Sequence, residues 1–219
     1  MQIILHLLTN YLFNLLTNPP IFDFMFRYAI IIFFLVLIAS CRPAVYPPKP
    51  SGYFRIDTPA AHLYQVFDKP GFPYTFEYPV YGIVSSDTVF RDQKGGNAYW
   101  ININFPGLGG VINITYKEFN STGRFDSLIN DSYGLSFAHH EKADYIKEDI
   151  IHTPYASGVL YTVGGNAASH YQFTLTDSVK HFIRGALYFD VTPNADSLKP
   201  ANDFLERDIE HMFWTLRWR

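Results

Sequence analysis

The stretch Tyr171–Val191, YQFTLTDSVKHFIRGALYFDV, decides the fold that we expect for this chain. Residues 171–176 alternate apolar and polar side chains, and a period of two is typical of a β-strand. Residues 179–191 form the longest apolar strand candidate, so we expect them to lie at the centre of a sheet. Asp177-Ser178, between the two runs, predicts a two-residue hairpin turn.

Further strand patterns extend from this stretch toward the amino terminus. Short runs rich in aromatic and β-branched residues predict strands at 74–78, 81–86, 98–104, 111–119, 145–151 and 158–163. In the fourth of these runs, Ile112, Ile114 and Tyr116 alternate with polar residues, so we expect them to face the core.

Two segments have helical spacing instead. From Arg124 onward, apolar residues recur three or four positions apart, with Ser121 or Thr122 available as an N-cap. A second helix is predicted after a loop that holds Pro193, Asn194 and Pro200. The apolar residues of the first helix are Phe125, Leu128, Ile129, Leu135 and Ala138, and those of the second are Phe204, Leu205, Ile209, Met212, Phe213 and Leu216. We expect Trp214 and Trp218 to pack on the sheet, the alternative being an exposed partner-binding face.

The predicted fold class is α+β, with a mainly antiparallel sheet covered by helices. The order of strands, a helix, a four-strand meander and a closing helix resembles the layout of a PsbP/Mog1-type sandwich. We assign residues 72–219 to one globular domain, preceded by an ordered arm at 51–71 that is too apolar for a free linker.

Ile38-Ala39-Ser40-Cys41 predicts how the chain is anchored. An unbroken apolar run of 11 residues, 29–39, follows Arg27, which is the layout of a secretory signal peptide. The tetrapeptide resembles a bacterial lipobox, in which the cysteine receives a diacylglyceryl group and becomes the acylated amino terminus after cleavage. Cys41 is the only cysteine, and a thiolate is readily alkylated. The alternative is a disordered tail that ends in a free cysteine.

The segments around this signal complete the domain organisation. Residues 25–40 are predicted to be the signal peptide, and 41–50 to be the lipidated cysteine with an extended proline-rich tether. Residues 1–24 carry no basic residue, so we expect translation to start at Met25 and the first 24 residues to be an artefact of start assignment. The alternative for that extension is an additional membrane-seeking helix at 3–16.

Charge and composition argue against a nucleic-acid partner and indicate a globular domain. The formal net charge is −3, which leaves no basic surplus to neutralise phosphates, so we expect no nucleic-acid partner. Hydrophobic residues make up 48% of the chain and aromatic residues 18%, which is typical of a globular domain whose aromatics are buried or presented to a partner.

Several residues are of types that can act in catalysis or bind phosphate or metal, but their spacing in the sequence does not match a known site. Gly164-Gly165-Asn166-Ala167-Ala168-Ser169 lacks the Lys-Ser/Thr of a phosphate loop, so we expect a tight turn between two strands. The residue types of a nucleophilic triad are present at Ser169, Asp177 and His181. However, the sequence around Ser169 does not have the strand–nucleophile–helix pattern that presents such a serine. Neither His139-His140-Glu141 nor the set His170, His181 and His211 has the spacing of a known metal site. We expect no catalytic residue, metal or cofactor.

The carboxy-terminal half contains the motifs Gly164–Ser169, Gln172-Phe173, Thr176-Asp177-Ser178, His181-Phe182, Gly185–Phe189, Pro193-Asn194, Asp196-Ser197-Leu198, Pro200-Ala201, Asp208-Ile209 and Thr215–Trp218. In these motifs it resembles the gliding-motility lipoprotein family GldD of the Bacteroidetes. The lipobox, Pro48-Lys49-Pro50 with Gly52-Tyr53, and Tyr74–Glu77 match the family too, so nearly the whole mature chain is covered.

This resemblance implies a non-enzymatic part of the machinery that propels surface adhesins, which is coupled to type IX protein secretion. Loss of this lipoprotein class abolishes gliding. We therefore expect a lipid-anchored envelope scaffold whose partners are other motility and secretion proteins. No acidic run follows Cys41, and in the Bacteroidetes such a run is associated with export to the surface, so the domain is expected to face the periplasm. The alternatives are a ligand- or peptidoglycan-binding lipoprotein, with a deep pocket lined by Tyr and Trp, and a periplasmic hydrolase.

Overall fold

The computed structural model describes residues 6–7, 9–10, 13, 24–33, 56–86 and 98–219, and it separates the chain into two units, Met1–Ser51 and Gly52–Arg219. In the first unit, residues 24–33 are helical and exposed. Within the described residues, no helix combines the length and the hydropathy needed to cross a membrane. The predicted lipobox at Ile38, Ala39 and Ser40, the lipid-attachment residue Cys41 and the tether that ends at residue 50 lie outside the described residues.

The second unit contains ten strands and two helices in its described part. In chain order they are β1 (Tyr64–Phe67), β2 (Tyr74–Pro79), β3 (Ile83–Ser86), β4 (Ile101–Phe105), β5 (Gly110–Glu118), α1 (Thr122–Phe137), β6 (Ala143–His152), β7 (Ser157–Gly165), β8 (Tyr171–Thr176), β9 (His181–Phe189), α2 (Ala195–Thr215) and β10 (Arg217–Trp218).

Seven of the strands form one antiparallel sheet in the order β3-β4-β5-β9-β8-β7-β6. Strand β9 lies in the middle of this order, as its apolar sequence predicted. Strands β6 to β9 form the predicted meander, because consecutive antiparallel strands pair with their neighbours in the chain. With helices on both faces of the sheet, the predicted α+β class is confirmed.

The predicted two-residue turn at Asp177-Ser178 is wrong. Strand β8 ends at Thr176 and β9 begins at His181, so four residues connect them. The reason is local: Oδ1 of Asp177 accepts hydrogen bonds from the backbone N–H groups of residues 179, 180 and 181, which organises a wider loop. Ser178 adopts a φ of 61° within it.

One face of the large sheet packs on α2 and forms the core. Alternate residues of β4, β5 and β8 point to this face, and Ile112, Ile114 and Tyr116 are buried as predicted. Phe173 of β8 meets Phe213 of α2 edge to face, with ring centroids 4.9 Å apart. The other buried apolar residues of α2 are Ala201, Leu205, Ile209 and Met212.

Helix α2 begins earlier than predicted. The expected loop through Pro200 is wrong, because the helix starts at Ala195 and includes that proline. Asn194 is the N-cap, and its side-chain oxygen accepts a hydrogen bond from the N–H of Ser197 at 2.9 Å. Pro200 lies in the second turn, where it removes the N–H that would otherwise bond to the C=O of Asp196.

Helix α1 lies on the opposite, polar face of the sheet. Ser121 is its N-cap, as predicted, and accepts from the N–H of Arg124. Its buried residues are Ser132 and Ser136 rather than the apolar stripe, because the strand beneath presents Gln172, which accepts a hydrogen bond from the Ser136 hydroxyl at 3.3 Å. Part of the apolar stripe therefore stays in contact with water.

A second, three-stranded sheet has the order β1-β2-β10. Strand β1 belongs to the segment that we expected to form an ordered arm, and it pairs along its whole length with β2. The short β10 pairs with the other side of β2, through Arg217 opposite Thr75 and Trp218 opposite Tyr74. This small sheet packs aromatic rings into the core, including Phe67, Phe72 and Phe76.

Candidate functional site

A surface groove lies between the outer strand β6 and the last turns of α2. Its volume is about 330 Å³, and its lining residues are Asp149, Ile150, Ile151, His152, Thr153, Leu160, Glu210, Phe213 and Trp214. The groove exists because β6 is an end strand of the sheet order, so its outer side has no neighbouring strand in the described part of the chain.

The backbone of β6 presents free hydrogen-bonding groups at this edge. The N–H of Val163 in β7 donates to His170 O, away from β6. Val163 pairs with Ile146, so in this antiparallel ladder Ile146, Glu148 and Ile150 direct their N–H and C=O groups outward. No described residue bonds to them, and the register between Ile146 and His152 is regular. An edge of this kind can accept an added strand.

Apolar side chains are exposed on both sides of the edge. Ile150 is 87% exposed, Trp214 is 59% exposed and Tyr145 is 56% exposed. Ile150 points to the sheet face that carries α1, whereas Trp214 belongs to α2 on the other face. The edge is therefore bordered by apolar surface on both sheet faces, which marks an interaction surface better than a single exposed residue does.

The groove is acidic along α2. Asp203, Glu206 and Glu210 recur at positions i, i+3 and i+7, so they line one face of the helix. Lys199 pairs with Asp203 at 2.7 Å, and Lys147 of β6 pairs with Asp149 at 2.8 Å. Burial and the nearby Glu206 carboxylate raise the pKa of the Tyr171 phenol. Glu210 makes no ion pair within the described residues, so the acids outnumber the bases here.

The glycine-rich motif lies elsewhere: Gly164 and Gly165 end β7, and the other four residues belong to the five-residue connection to β8, so the motif is not the tight turn that we expected. Gly165 has a φ of 85°, a left-handed conformation that glycine adopts without a steric cost. Asn166 Oδ1 accepts a hydrogen bond from Ala195 N at 2.9 Å, which ties this connection to the start of α2. The side chains of Ala167 and Ser169 are buried. Every one of these contacts is structural.

Each of the three residues considered for a nucleophilic triad makes its own, separate hydrogen bonds. Ser169 Oγ donates to Tyr171 O, and Asp177 holds its own loop. His181 Nδ1 lies 2.6 Å from Tyr116 Oη. Since none of the three side chains bonds to another, the geometry gives no nucleophile with its base.

The remaining histidines are also dispersed. His139 and His140 follow the end of α1, while His211 bonds to Glu77 at 2.7 Å and stacks on Tyr64. His170 packs edge to face on Tyr171. Among the described residues, no group of three His, Cys, Asp or Glu side chains is arranged to hold a metal ion.

The tryptophan prediction is right for one residue and wrong for the other. Trp218 stacks on His181 with ring centroids 5.2 Å apart, and its indole N–H donates to Tyr155 O. Trp214 does not pack on the sheet, because it follows Phe213 on the helix and therefore points away from the face that Phe213 buries. It borders the groove instead.

Sequence reasoning missed a buried cluster around Asp208. This aspartate is 2% exposed, and Tyr64 Oη donates to its Oδ1 at 3.0 Å. Tyr81 Oη donates to Oδ2, and His62 Nδ1 lies 2.7 Å from Oδ1. The available signal was an acidic residue between Leu205 and Ile209 on the apolar face of a predicted helix, because buried charge requires partners.

A family model described as gliding motility lipoprotein GldD matches residues 44–218. The chain belongs to the GldD family. As a gliding-motility lipoprotein of that family, it is a membrane-anchored protein of the cell envelope. The match includes the glycine-rich motif, the Asp208 cluster and both walls of the groove.

This GldD-family chain is also similar to the solution structure of cyanobacterial PsbP (CyanoP) from Synechocystis sp. PCC 6803. The identity is 11%, the TM-score is 0.43, and the likeness covers 74% of this chain and 98% of that chain. It concerns the fold alone. Among curated proteins, none matches this chain.

The His181 contact predicts a pH dependence of stability. Burial lowers the pKa of His181 below its ordinary value of 6.5, and Lys180 acts in the same direction, against Asp177 and Glu118. The folded chain then binds fewer protons than the unfolded chain, so this contribution to stability is complete above about pH 6.5 and is lost as pH falls through the lowered pKa. Urea unfolding between about pH 5 and pH 7.5 should show this decline.

The matched variant is His181→Asn, which can still bond to Tyr116. We expect a flatter dependence of the unfolding free energy on pH, with a residual slope because burial also lowers the pKa values of His139 and His170. An unchanged slope in the variant would contradict the assignment.

Proposed function

We propose that this lipoprotein is a non-enzymatic scaffold that stabilises an envelope complex for gliding motility and type IX protein secretion. It is tethered through lipid on Cys41, with its domain facing the periplasm, and its partners are other proteins of that complex. Family membership gives the motility role and the lipoprotein class. The observation that carries the scaffold proposal is the groove with its exposed apolar borders at Ile150 and Trp214.

The ligand-binding alternative has less support. A deep pocket lined by Tyr and Trp was expected for it, as such pockets recognise sugars and drug-sized molecules through buried rings. The most voluminous cavity that we describe, about 580 Å³, lies beside β4, β5 and β9. Tyr188 is its one tyrosine, and its lining includes no tryptophan. A surface that binds protein fits the described side chains better.

Cys41→Ala tests the tether. We expect the variant to leave the membrane fraction and to lose gliding almost completely, because a scaffold that diffuses freely loses the effective concentration that a shared membrane provides. The measurements are envelope fractionation, colony spreading and immunoprecipitation of the full chain from detergent-solubilised envelopes.

Ser40→Ala is the matched control, since it keeps a small residue before the cysteine. Recovery of motility or secretion components with wild type and with Ser40→Ala, but not with Cys41→Ala, supports a tethered scaffold. If wild type itself recovers no envelope protein, the scaffold proposal is wrong.

A further inference from the structure

The free edge of β6 is the feature of the groove that specifies a kind of partner. Its outward N–H and C=O groups at Ile146, Glu148 and Ile150 repeat every second residue, which is the pattern that an added strand satisfies. The edge has no proline, and its register irregularity is confined to the segment between Ala143 and Ile146. Residues 146–152 therefore offer an uninterrupted template.

Side chains on the two faces specify the composition of such a strand. Beside the edge, Glu148 and the exposed Ile150 point to one face, while Asp149, Ile151 and the α2 residues Glu210 and Trp214 border the other. An added strand places its own side chains alternately on these faces. Lys147 already pairs with Asp149, so basic residues would meet Glu148 on one face or Glu210 on the other, and apolar residues would meet Ile150 or Trp214.

A second copy of this chain is the competing occupant of the edge. When two β6 strands pair antiparallel about a two-fold axis, the residue at the axis lies opposite its own copy. Centring the pair on Lys147, Glu148 or Asp149 thus sets like charges directly opposite one another, which is destabilising. Centring on Ile150 avoids these pairs and sets Glu148 opposite His152, so a dimer through β6 is a competing outcome of the test.

We propose that the free edge of β6, bordered by Ile150 on one sheet face and Trp214 on the other, binds an extended segment of a partner protein in which basic and apolar residues alternate. The proposal deepens the scaffold function and rests on it, because it names how one partner is held. Binding adds a strand beside β6 whose basic side chains share one face, where they meet Glu148 or Glu210, while its apolar side chains meet Trp214 or Ile150 on the other face.

The test uses the full chain in detergent micelles and a capped peptide of about eight alternating Lys and Val residues, a common strand length. We expect saturable binding of the labelled peptide by fluorescence anisotropy, with slowed amide exchange at Ile146, Glu148 and Ile150. A Glu/Val peptide should not bind. A Lys/Val peptide N-methylated at every second residue should not bind either, because it lacks the donors of the added ladder.

Variants of the chain then locate the site. Ile150→Pro removes an outward N–H without removing a donor to β7, and Ile150→Lys is a second variant that leaves the backbone donor in place. Each of these variants should weaken binding of the Lys/Val peptide by about tenfold. The double variant Glu148→Lys with Glu210→Lys should weaken the binding by the same factor. The control is Asp126→Lys with Asp131→Lys, which makes the same charge change on exposed positions of α1. Binding to the control should stay within about twofold of wild type.

Several results would overturn the inference. Equal weakening by both double variants would mean non-specific charge attraction, and equal binding of the N-methylated peptide would mean that no strand is added. A concentration-dependent dimer of wild type that Ile150→Pro abolishes would make a second copy the occupant. In envelopes, an Ile150→Lys chain that still recovers its partners overturns this inference alone, whereas a wild-type chain that recovers none overturns the scaffold function.

Discussion

Asp208→Ala should lower the free energy of unfolding by about 3 kcal/mol, since it leaves the half-buried hydroxyls of Tyr64 and Tyr81 without their acceptor. The hydroxyls of Tyr64 and Tyr81 both donate to this carboxylate, and His62 lies within hydrogen-bond distance. Burial, reinforced by Asp208, raises the pKa of Tyr64 to about 12, so the phenol stays a donor across the physiological range. Urea unfolding at pH 7.5 measures the loss.

Asp203→Ala is the matched control, because Asp203 is an exposed aspartate on the same helix whose ion pair with Lys199 is on the surface. Its effect should stay within about 0.5 kcal/mol. A double-mutant cycle with Tyr64→Phe should give a coupling energy of about 1 kcal/mol or more. Equal effects of Asp208→Ala and Asp203→Ala would show that the cluster does not hold the arm to α2.

Gly158→Ala should destabilise the domain by about 3 kcal/mol, the upper end for an overpacked site. A Cβ on Gly158 would overlap the backbone carbonyl of Thr174 in the neighbouring strand. A flexible side chain could rotate away from such a contact, but the backbone carbonyl of Thr174 is fixed by its place in the sheet. The strands β7 and β8 must therefore separate locally, and thermal unfolding should report a lower midpoint.

Gly134→Ala is the matched control and should change stability in the opposite direction. Gly134 lies inside α1, and a Cβ there would meet nothing within 4 Å. Removing glycine from a helix interior gains about 0.5–1 kcal/mol. If both substitutions lower the midpoint by the same amount, the close approach at Gly158 is not the cause.

Alternation could be predicted from the sequence wherever one face of a strand is buried. Ile112, Ile114 and Tyr116 in β5 follow the period of two, and the apolar run of β9 matches its position at the sheet centre. The central strand and the meander follow from these patterns, and so does the α+β class.

Contacts between distant segments could not be predicted in this way. Asp208 is 144 residues from Tyr64, and no local pattern links an aspartate to a tyrosine at that distance. The loop at Asp177 depends on three hydrogen bonds to one carboxylate oxygen. Helix α1 buries Ser132 and Ser136 because it covers the polar face of the sheet, and no local pattern shows which face a helix covers. The groove depends on strand order, which determines that β6 is an edge.

The junction between the arm and α2 also constrains when this domain can form. Strand β2 pairs with β1 on one side and with β10 on the other, and Asp208 joins α2 to the arm. A polypeptide that crosses a membrane amino end first exposes its early segments long before residues 208–218 follow. The arm therefore lacks its contacts with α2 until almost all of the domain has been translocated. With the export proposed above, completion of the fold is a late event of translocation, and a chain stalled in transit would present the aromatic residues of β1 and β2 to chaperones instead of to α2.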